Sequence, residues 1–266
     1  MENVRDRFCI GIGYRGTYDL EDAFRCMAEA GFRKTFLAIV NELPFIGAEF
    51  RPLKEYTERF GLELCNLHLP VVSPNPLWEP GRARDVLLEK YCAYLDAAAE
   101  AGIRSLVIHV CDEGRQIALN SAGTDALHLL CERAERYGTD LCVENVRNIR
   151  MLDYVFANVK SPSLRFCHDA GHNRAYTPEY ELAERFGQYL GFTHIHDNDG
   201  VTDLHEMPFT GVVDFARLRR QYEQAGYKGV LCLETTPQLA HKKYGGFAPF
   251  FRLAYESLER IFCGGN

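Results

Sequence analysis

Eight short apolar runs, separated by stretches in which apolar residues have helical spacing, constrain the fold of this chain most strongly. The runs are residues 8–13, 34–40, 62–69, 104–110, 140–146, 164–170, 190–196 and 229–236. Each is nearly continuously apolar, as is typical of a parallel strand buried on both faces. Eight strands that alternate with helices predict an α/β protein made of one (β/α)8 barrel (TIM barrel) over residues 1–266.

The stretches between the runs carry helix signals. The patterns at 20–31, 82–102 and 215–226 each end at a glycine, the usual C-terminal cap, and 249–262 predicts the last helix. A doubly wound parallel sheet of similar length is the alternative. We favour the barrel, because no G-x-G-x-x-G motif directly opens a helix after the first strand, as a dinucleotide-binding turn would. No Pro-, Gly- or Ser-rich linker divides the chain, and its only internal repeat is the strand–helix unit itself.

Composition and charge narrow the function classes. The 266 residues are 47 % hydrophobic and 25 % charged, as is ordinary for a globular protein, and the net charge of −7 disfavours a nucleic-acid partner. The N-terminal MENVRDRFCI lacks the apolar core of a signal peptide, and no run approaches the ~20 apolar residues of a membrane span. We therefore expect a cytoplasmic protein without a membrane partner. Ten cysteines without a C-x-x-C pair predict reduced, buried thiols.

Polar side chains occur where six successive strands end. They are His68, His109, Glu144, Asp169, His194 and Glu234, on the third to the eighth strand. Barrel active sites are built at this carboxyl-terminal face. A single strand-end His is more often a hydrogen-bonded structural residue, and a single Glu is often a cap or an ion-pair partner. Because several buried carboxylates need compensation, we favour a divalent cation, and mixed His and carboxylate ligands suit Zn²⁺ or Mn²⁺.

Strand alternation predicts a layer beneath these polar ends, since residues i and i−2 share a face. Two positions before the three carboxylates lie Cys142, Cys167 and Cys232, and two positions before His109 and His194 lie Val107 and Phe192. We interpret this layer as the packed floor of the barrel. Thiolate ligation by the cysteines is the alternative.

Short motifs around the strand ends occur in a characteristic order. They are NLHLP (66–70), LVIHV (106–110), VEN (143–145), DAGH (169–172), HIHD (194–197), DLH (203–205) and CLE (232–234). In order and spacing the chain resembles the xylose isomerase-like TIM-barrel superfamily, which includes sugar isomerases and epimerases and the endonuclease IV group. The resemblance implies one divalent ion, Mn²⁺ or Zn²⁺, held by Glu144, Asp169, His194 and Glu234.

The resemblance leaves the number of ions open. It assigns substrate binding or additional metals to a further set of residues, namely His68, His109, His172, Asp203 and His205. With the four ligands above, this set completes the nine-ligand pattern of the three-metal endonuclease IV site. His196, Arg15 and Arg147 are further candidates for substrate contacts, and the two arginines would suit a phosphate group.

Three positions depart from the related ketose 3-epimerases. Arg150 stands where those enzymes carry a substrate-binding Glu, and Gly200 stands where they carry an Arg. Phe209 replaces the first glycine of a G-x-G whose second glycine, Gly211, is kept. A close match to a 3-epimerase is therefore not expected.

The favoured function is a metal-dependent isomerase or epimerase of a sugar or sugar phosphate, with a small carbohydrate as its partner. Glu144 and Glu234 would be catalytic and would transfer a proton next to a carbonyl through an enediolate. The alternatives are an endonuclease IV-like multinuclear phosphoesterase, a dehydratase or aldolase-like lyase, and a ligand-binding barrel without catalysis. Homo-oligomerisation is left open.

Overall fold

The computed structural model describes residues 3–13, 19–39, 46–70, 72–112, 117–235 and 243–264. Its eight strands are β1 Phe8–Gly13, β2 Lys34–Ala38, β3 Glu63–His68, β4 Ser105–Ile108, β5 Asp140–Glu144, β6 Leu164–Asp169, β7 Leu190–His194 and β8 Leu231–Leu233. All paired strands are parallel, in the order β7-β6-β5-β4-β3-β2-β1-β8. The predicted strands are confirmed, each within its apolar run or a residue of it.

A parallel bridge closes the sheet into a barrel. Ile195, directly after β7, pairs with Leu233 of β8. The Ile195 N–H donates to the Cys232 carbonyl over 2.8 Å, and the Glu234 N–H donates to the Ile195 carbonyl over 3.0 Å. This closure excludes the doubly wound sheet. Sequence alone does not exclude it, because GIGYRG (11–16) has the G-x-G-x-x-G spacing of a dinucleotide-binding turn.

The described residues include nine α-helices. They are α1 Leu20–Ala30, α2 Ile46–Phe60, α3 Arg82–Glu100, α4 Ser121–Tyr137, α5 Ile149–Asn158, α6 Ala170–Tyr176, α7 Leu182–Arg185, α8 Phe215–Gln224 and α9 Phe247–Phe262. Gly31 caps α1 in a left-handed conformation, as predicted. After α3 and α8 the cap is an alanine, and the predicted glycine follows it. No helix in the described ranges has both the length and the apolar character that a membrane span requires.

Two helices lie between β6 and β7, where one was expected. Asp169 ends β6 and caps α6, because its Oδ1 accepts a 2.6 Å hydrogen bond from the His172 N–H. The helix ends at Tyr176 and is capped by Thr177, because the residue that precedes a proline, here Pro178, avoids helical backbone angles. The cap at Asp169 therefore keeps His172 close to the end of β6.

The barrel has a small interior core, separate from the larger core between sheet and helices. Its buried members are Cys9, Phe36, Cys65, Val107, Cys142, Cys167, Phe192 and Cys232. The five positions predicted to form the floor are all among them, so this prediction is confirmed. None of the ten cysteines is in a disulfide. The polar strand ends thus lie above a packed, apolar floor.

Candidate metal centre

The predicted strand-end residues lie together at the carboxyl-terminal mouth of the barrel. His68, Glu144, Asp169 and His194 end β3, β5, β6 and β7, while His109 and Glu234 directly follow β4 and β8. The register places Asp169 beside His194 on neighbouring strands. Parallel strands present their carboxyl ends at one edge, and closure of the barrel brings those ends around a common axis.

Glu144 is the centre of one cluster. Its Oε2 lies 3.0 Å from His68 Nε2 and 2.9 Å from His109 Nε2. Its Oε1 lies 3.0 Å from His194 Nδ1, and Glu234 Oε2 lies 3.2 Å from the same nitrogen. Asp169 Oδ2 is 3.9 Å from His194 Nδ1. The four residues that the resemblance names as ligands therefore surround one point.

Asp203 is the centre of a second cluster, on the loop between β7 and α8. Its Oδ2 lies 3.2 Å from His172 Nε2 and 3.0 Å from His205 Nε2. His196 connects the two clusters, since its Nε2 lies 3.1 Å from Asp169 Oδ1 and 3.5 Å from Asp203 Oδ1. The additional residues named by the resemblance are thus also at the mouth.

Backbone carbonyls determine the tautomers of three histidines. His68 Nδ1–H donates to the Leu69 carbonyl over 2.7 Å, and His172 Nδ1–H donates to the Asn145 carbonyl over 2.9 Å. His205 Nδ1–H likewise donates to a carbonyl, that of Glu234, over 2.8 Å. A carbonyl can only accept, so the Nε2 atom of each neutral ring carries a lone pair. Each of these Nε2 atoms faces a carboxylate oxygen, so each pair needs either a proton on Nε2, which makes the ring an imidazolium, or a metal ion between the two atoms.

A divalent cation fits this donor set. Three ligand atoms lie within 4.8 Å of one another in the group His68, His109 and Glu144, and also in the group His172, Asp203 and His205. The anchoring of Nδ1 on a carbonyl is the usual second contact of a metal-bound His. In addition, the buried Asp203 Oδ1 has no hydrogen-bond partner among the described residues. The mouth thus has aligned donors and an unsatisfied carboxylate oxygen, as a metal site requires.

The charges in the cluster also favour a bound cation. Burial by itself would raise the pKa of Glu144. The nearby imidazoles of His194 and His109 have the larger and opposite effect, and they hold this pKa well below its usual range. Burial also opposes the charge on Asp169, yet neighbouring imidazoles lower its pKa to about 2. Burial lowers the pKa of His194, but Glu234 and Glu144 raise it to about 9. Positive charge is therefore required among these carboxylates, and a metal ion would displace the imidazole protons that otherwise supply it.

The remaining candidates for substrate contact differ in their placement. His196 is in the site, as described above, and Arg15 lies outside the described residues. The Arg147 guanidinium stacks on the Tyr176 ring at 3.8 Å, and that ring stacks on His172 at 5.4 Å. Tyr176 was not predicted, and only its position four residues after His172 in a helix would have indicated it.

Asn145 is a second site residue that sequence reasoning missed. Its side chain donates to the Asp169 carbonyl over 2.9 Å and accepts from the Asp169 N–H over 2.8 Å. Asn145 is fully buried and directly follows Glu144. It ties the end of β5 to the end of β6 and holds two predicted ligands in place. The signal for it was present in the VEN motif.

The three departures from the 3-epimerase pattern have different settings. Arg150 is exposed near the start of α5. A side chain at Gly200 would begin 3.3 Å from the guanidinium of Arg174, so this arginine occupies the space above it. Phe209 adopts a left-handed φ of 71°, which explains why a glycine would suit the position. At Gly211 an added Cβ would lie 2.1 Å from the Asn198 carbonyl oxygen, so this glycine is required.

Comparisons with known proteins agree with the fold and the motifs. Residues 19–245 match the family model described as xylose isomerase-like TIM barrel. Fructoselysine 3-epimerase of Escherichia coli O157:H7 is 32 % identical over 115 residues, which cover 40 % of this chain and 42 % of that protein. An uncharacterized protein, y4fM, of Sinorhizobium fredii is 28 % identical over 155 residues, 53 % of this chain and 50 % of that protein. The match thus spans half or less of these curated relatives.

Solved structures show the same architecture. D-psicose 3-epimerase of Clostridium cellulolyticum H10, solved with D-tagatose, superposes on this chain with a TM-score of 0.74 at 17 % sequence identity. The superposition covers 95 % of this chain and 97 % of the epimerase chain. A D-tagatose 3-epimerase-like protein gives the same TM-score at 21 % identity, with the same coverage. At these identities the likeness concerns the fold alone. Together with the family match, it shows that the chain belongs to the xylose isomerase-like TIM-barrel family.

Proposed function

We propose that the chain is a divalent-metal-dependent isomerase or epimerase of a sugar or sugar phosphate. One observation carries the proposal: carboxylates from β5 and from the end of β8, Glu144 and Glu234, approach the same nitrogen of His194 within 3.0 and 3.2 Å. An isomerase or epimerase needs one group that removes a proton next to the substrate carbonyl and one that returns it. Two carboxylates beside one bound cation can fill these two roles. The likeness to sugar epimerases supports this reading.

Glu144, Asp169, His194 and Glu234 would hold the ion, Mn²⁺ or Zn²⁺. When bound, such an ion supplies Lewis-acid stabilisation of the negative charge that develops on a substrate oxygen during proton loss. The chain's own residues shape the rest of the chemistry. His68 and His109 hold Glu144 in one orientation, and Asn145 does the same for Asp169.

The two glutamates have unequal surroundings. Glu144 is buried, with side-chain exposure of 1 %, and both of its oxygens face imidazole nitrogens. Glu234 is 14 % exposed and is more open to the mouth. We therefore assign the first proton abstraction to Glu234, and the return of the proton from the other side to Glu144.

Arg147 and Tyr176 form the part of the wall nearest His172 and would contact the sugar away from the reacting carbons. Because Arg150 and Gly200 replace two residues of the ketose 3-epimerases, we expect a substrate that differs from free ketohexoses. A carbohydrate partner, a cytoplasmic location and homo-oligomerisation are left as proposals for experiment.

The second candidate is a multinuclear phosphoesterase. The cluster of His172, Asp203 and His205 favours it, because one-metal proton transfer does not need a second group of three ligands. In such an enzyme, ions at both clusters would activate water and neutralise a phosphate. The net charge of −7 argues against a nucleic-acid substrate. A lyase that uses the same proton abstraction is a third candidate.

Solvent exchange distinguishes the isomerase from the phosphoesterase. Protein loaded with Mn²⁺ or Zn²⁺ is incubated in D₂O with a panel of ketoses, aldoses and their phosphates, and NMR follows deuterium next to the carbonyl. We expect exchange that Glu234→Gln abolishes and that the matched control Glu206→Gln retains, since Glu206 pairs with Lys243 outside the clusters. About three ions per chain together with nicking of abasic DNA, and no exchange with any sugar, would favour the phosphoesterase.

A further inference from the structure

The thiols inside the barrel differ in their hydrogen bonding. Four of the five have a sulfur contact: Cys9 with Cys65 at 3.7 Å, Cys65 with the Thr35 carbonyl at 3.3 Å, Cys142 with Ser105 Oγ at 3.4 Å and Cys232 with the Leu233 carbonyl at 3.6 Å. The sulfur contacts found among the described residues of this floor do not include Cys167 Sγ. It is nevertheless completely buried. Cys167 is thus the thiol of this floor for which the described residues supply no sulfur contact.

Cys167 lies directly below the proposed metal centre. It precedes Asp169 by two residues on β6, and its Cα is in register with that of Glu144 on β5. Its sulfur and ligand atoms of Glu144 and His194 all lie within 4.8 Å of one another. The unpartnered thiol therefore points at the same space as two of the proposed ligands, from the side opposite the mouth.

The distances suit a common metal ion. Zinc binds sulfur at about 2.3 Å and nitrogen at about 2.0–2.1 Å, so two such ligands at an angle of about 90–110° are about 3.1–3.6 Å apart. A separation of at most 4.8 Å needs only a small inward movement. When the thiol binds, its S–H bond breaks, a metal–sulfur bond forms, and the proton leaves to solvent through the mouth.

We propose that Cys167 is a further ligand of the divalent ion, below Glu144 and His194, and that it makes the centre selective for thiophilic ions such as Zn²⁺ and Co²⁺. This inference rests on the proposed metal site. Thiolate ligands favour zinc over manganese, which prefers oxygen donors. Binding from below also leaves the mouth side of the ion open to the substrate.

Cobalt substitution tests the inference without an activity assay. Chelator-treated full-length protein is titrated with Co²⁺, and the near-ultraviolet spectrum is followed for the thiolate-to-cobalt charge-transfer band. We expect the band in the native protein, its loss in Cys167→Ser and its retention in Cys142→Ser. Cys142 is the matched control, because it lies in the same floor on β5 but already has a partner in Ser105. Zn²⁺ affinity should fall at least about tenfold in Cys167→Ser, the smallest loss typical of changes around a metal site.

Each outcome is decisive. Bound cobalt without the band, or a band that persists in Cys167→Ser, would overturn the sulfur ligand and leave the proposed metal site standing. Failure of the native protein to bind cobalt would overturn both. If Cys167→Ser does not fold, X-ray absorption of the zinc-loaded native protein replaces it, and the absence of a sulfur neighbour at about 2.3 Å would refute the proposal.

Discussion

Replacement of Gly171 by alanine tests how tightly the DAGH segment is packed against the site. An added Cβ would lie 1.9 Å from His196 Cε1 and 2.4 Å from each ring nitrogen. Carbon atoms in contact are normally about 3.5–4.0 Å apart, so the ring must move by about 1.6 Å or more. The His196 ring is fully buried and stacks on His205 at 4.3 Å, which leaves it little room.

The expected destabilisation has two parts. Overpacking of a closely packed interior costs about 1–3 kcal/mol. Displacement of His196 also breaks its 3.1 Å hydrogen bond to the Asp169 carboxylate, and hydrogen bonds to charged groups contribute about 1.5–3 kcal/mol. We expect Gly171→Ala to lower the free energy of unfolding by about 3–5 kcal/mol in total. At about 2–4 °C per kcal/mol for a domain of this size class, Tm should fall by roughly 6–20 °C.

Thermal unfolding of the chelator-treated protein measures this effect. The control is Gly187→Ala, whose methyl would clash only with the Ala225 Cβ, at 2.9 Å, among the described residues, so a smaller fall in Tm is expected there. A Tm for Gly171→Ala within about 3 °C of the native value would refute the packing argument, since it corresponds to about 1 kcal/mol or less. An equal loss in Gly187→Ala would show that the effect is not specific to His196.

Three further predictions concern a ligand, a buried imidazole and a strained loop residue. Asp169→Asn should weaken divalent-ion binding by roughly 100-fold or more by isothermal titration, because a charged ligand is lost, and unchanged affinity would contradict the assignment. Burial lowers the pKa of His168 from 6.5 to about 4, so its contribution to stability is complete above pH 6.5 and is lost as the pH falls toward 4. Urea unfolding of the metal-free proteins should show that, from pH 7 to pH 4, the free energy of unfolding falls by about 3 kcal/mol more in the native chain than in His168→Gln. Equal falls in the two proteins would contradict this prediction. Phe209→Ala keeps the left-handed backbone and loses the contacts with Phe215 and Arg260, so it should be less stable than Phe209→Gly by about 1–2 kcal/mol, and the reverse order would rule out backbone strain.

The sequence by itself predicted eight parallel strands that alternate with helices and the face on which the polar strand ends lie. Apolar runs of strand length that alternate with helical patterns are local signals, and the parallel connection then brings the strand ends to one edge. For that reason Glu144, Asp169 and His194 could be placed together before any distance was known, and Cys142 and Cys167 could be placed beneath them.

The tertiary structure alone decided which atoms face one another. Closure at Ile195, the path of the loop that carries Asp203, and the choice of Nδ1 or Nε2 at His172 depend on contacts between residues far apart in the chain. The same is true of Cys167, which the sequence could not distinguish from Cys142, because only the packed floor shows which thiol has a partner. Periodicity determines the face on which a side chain lies, whereas its hydrogen bonds and charge neighbours are set by distances across the closed barrel.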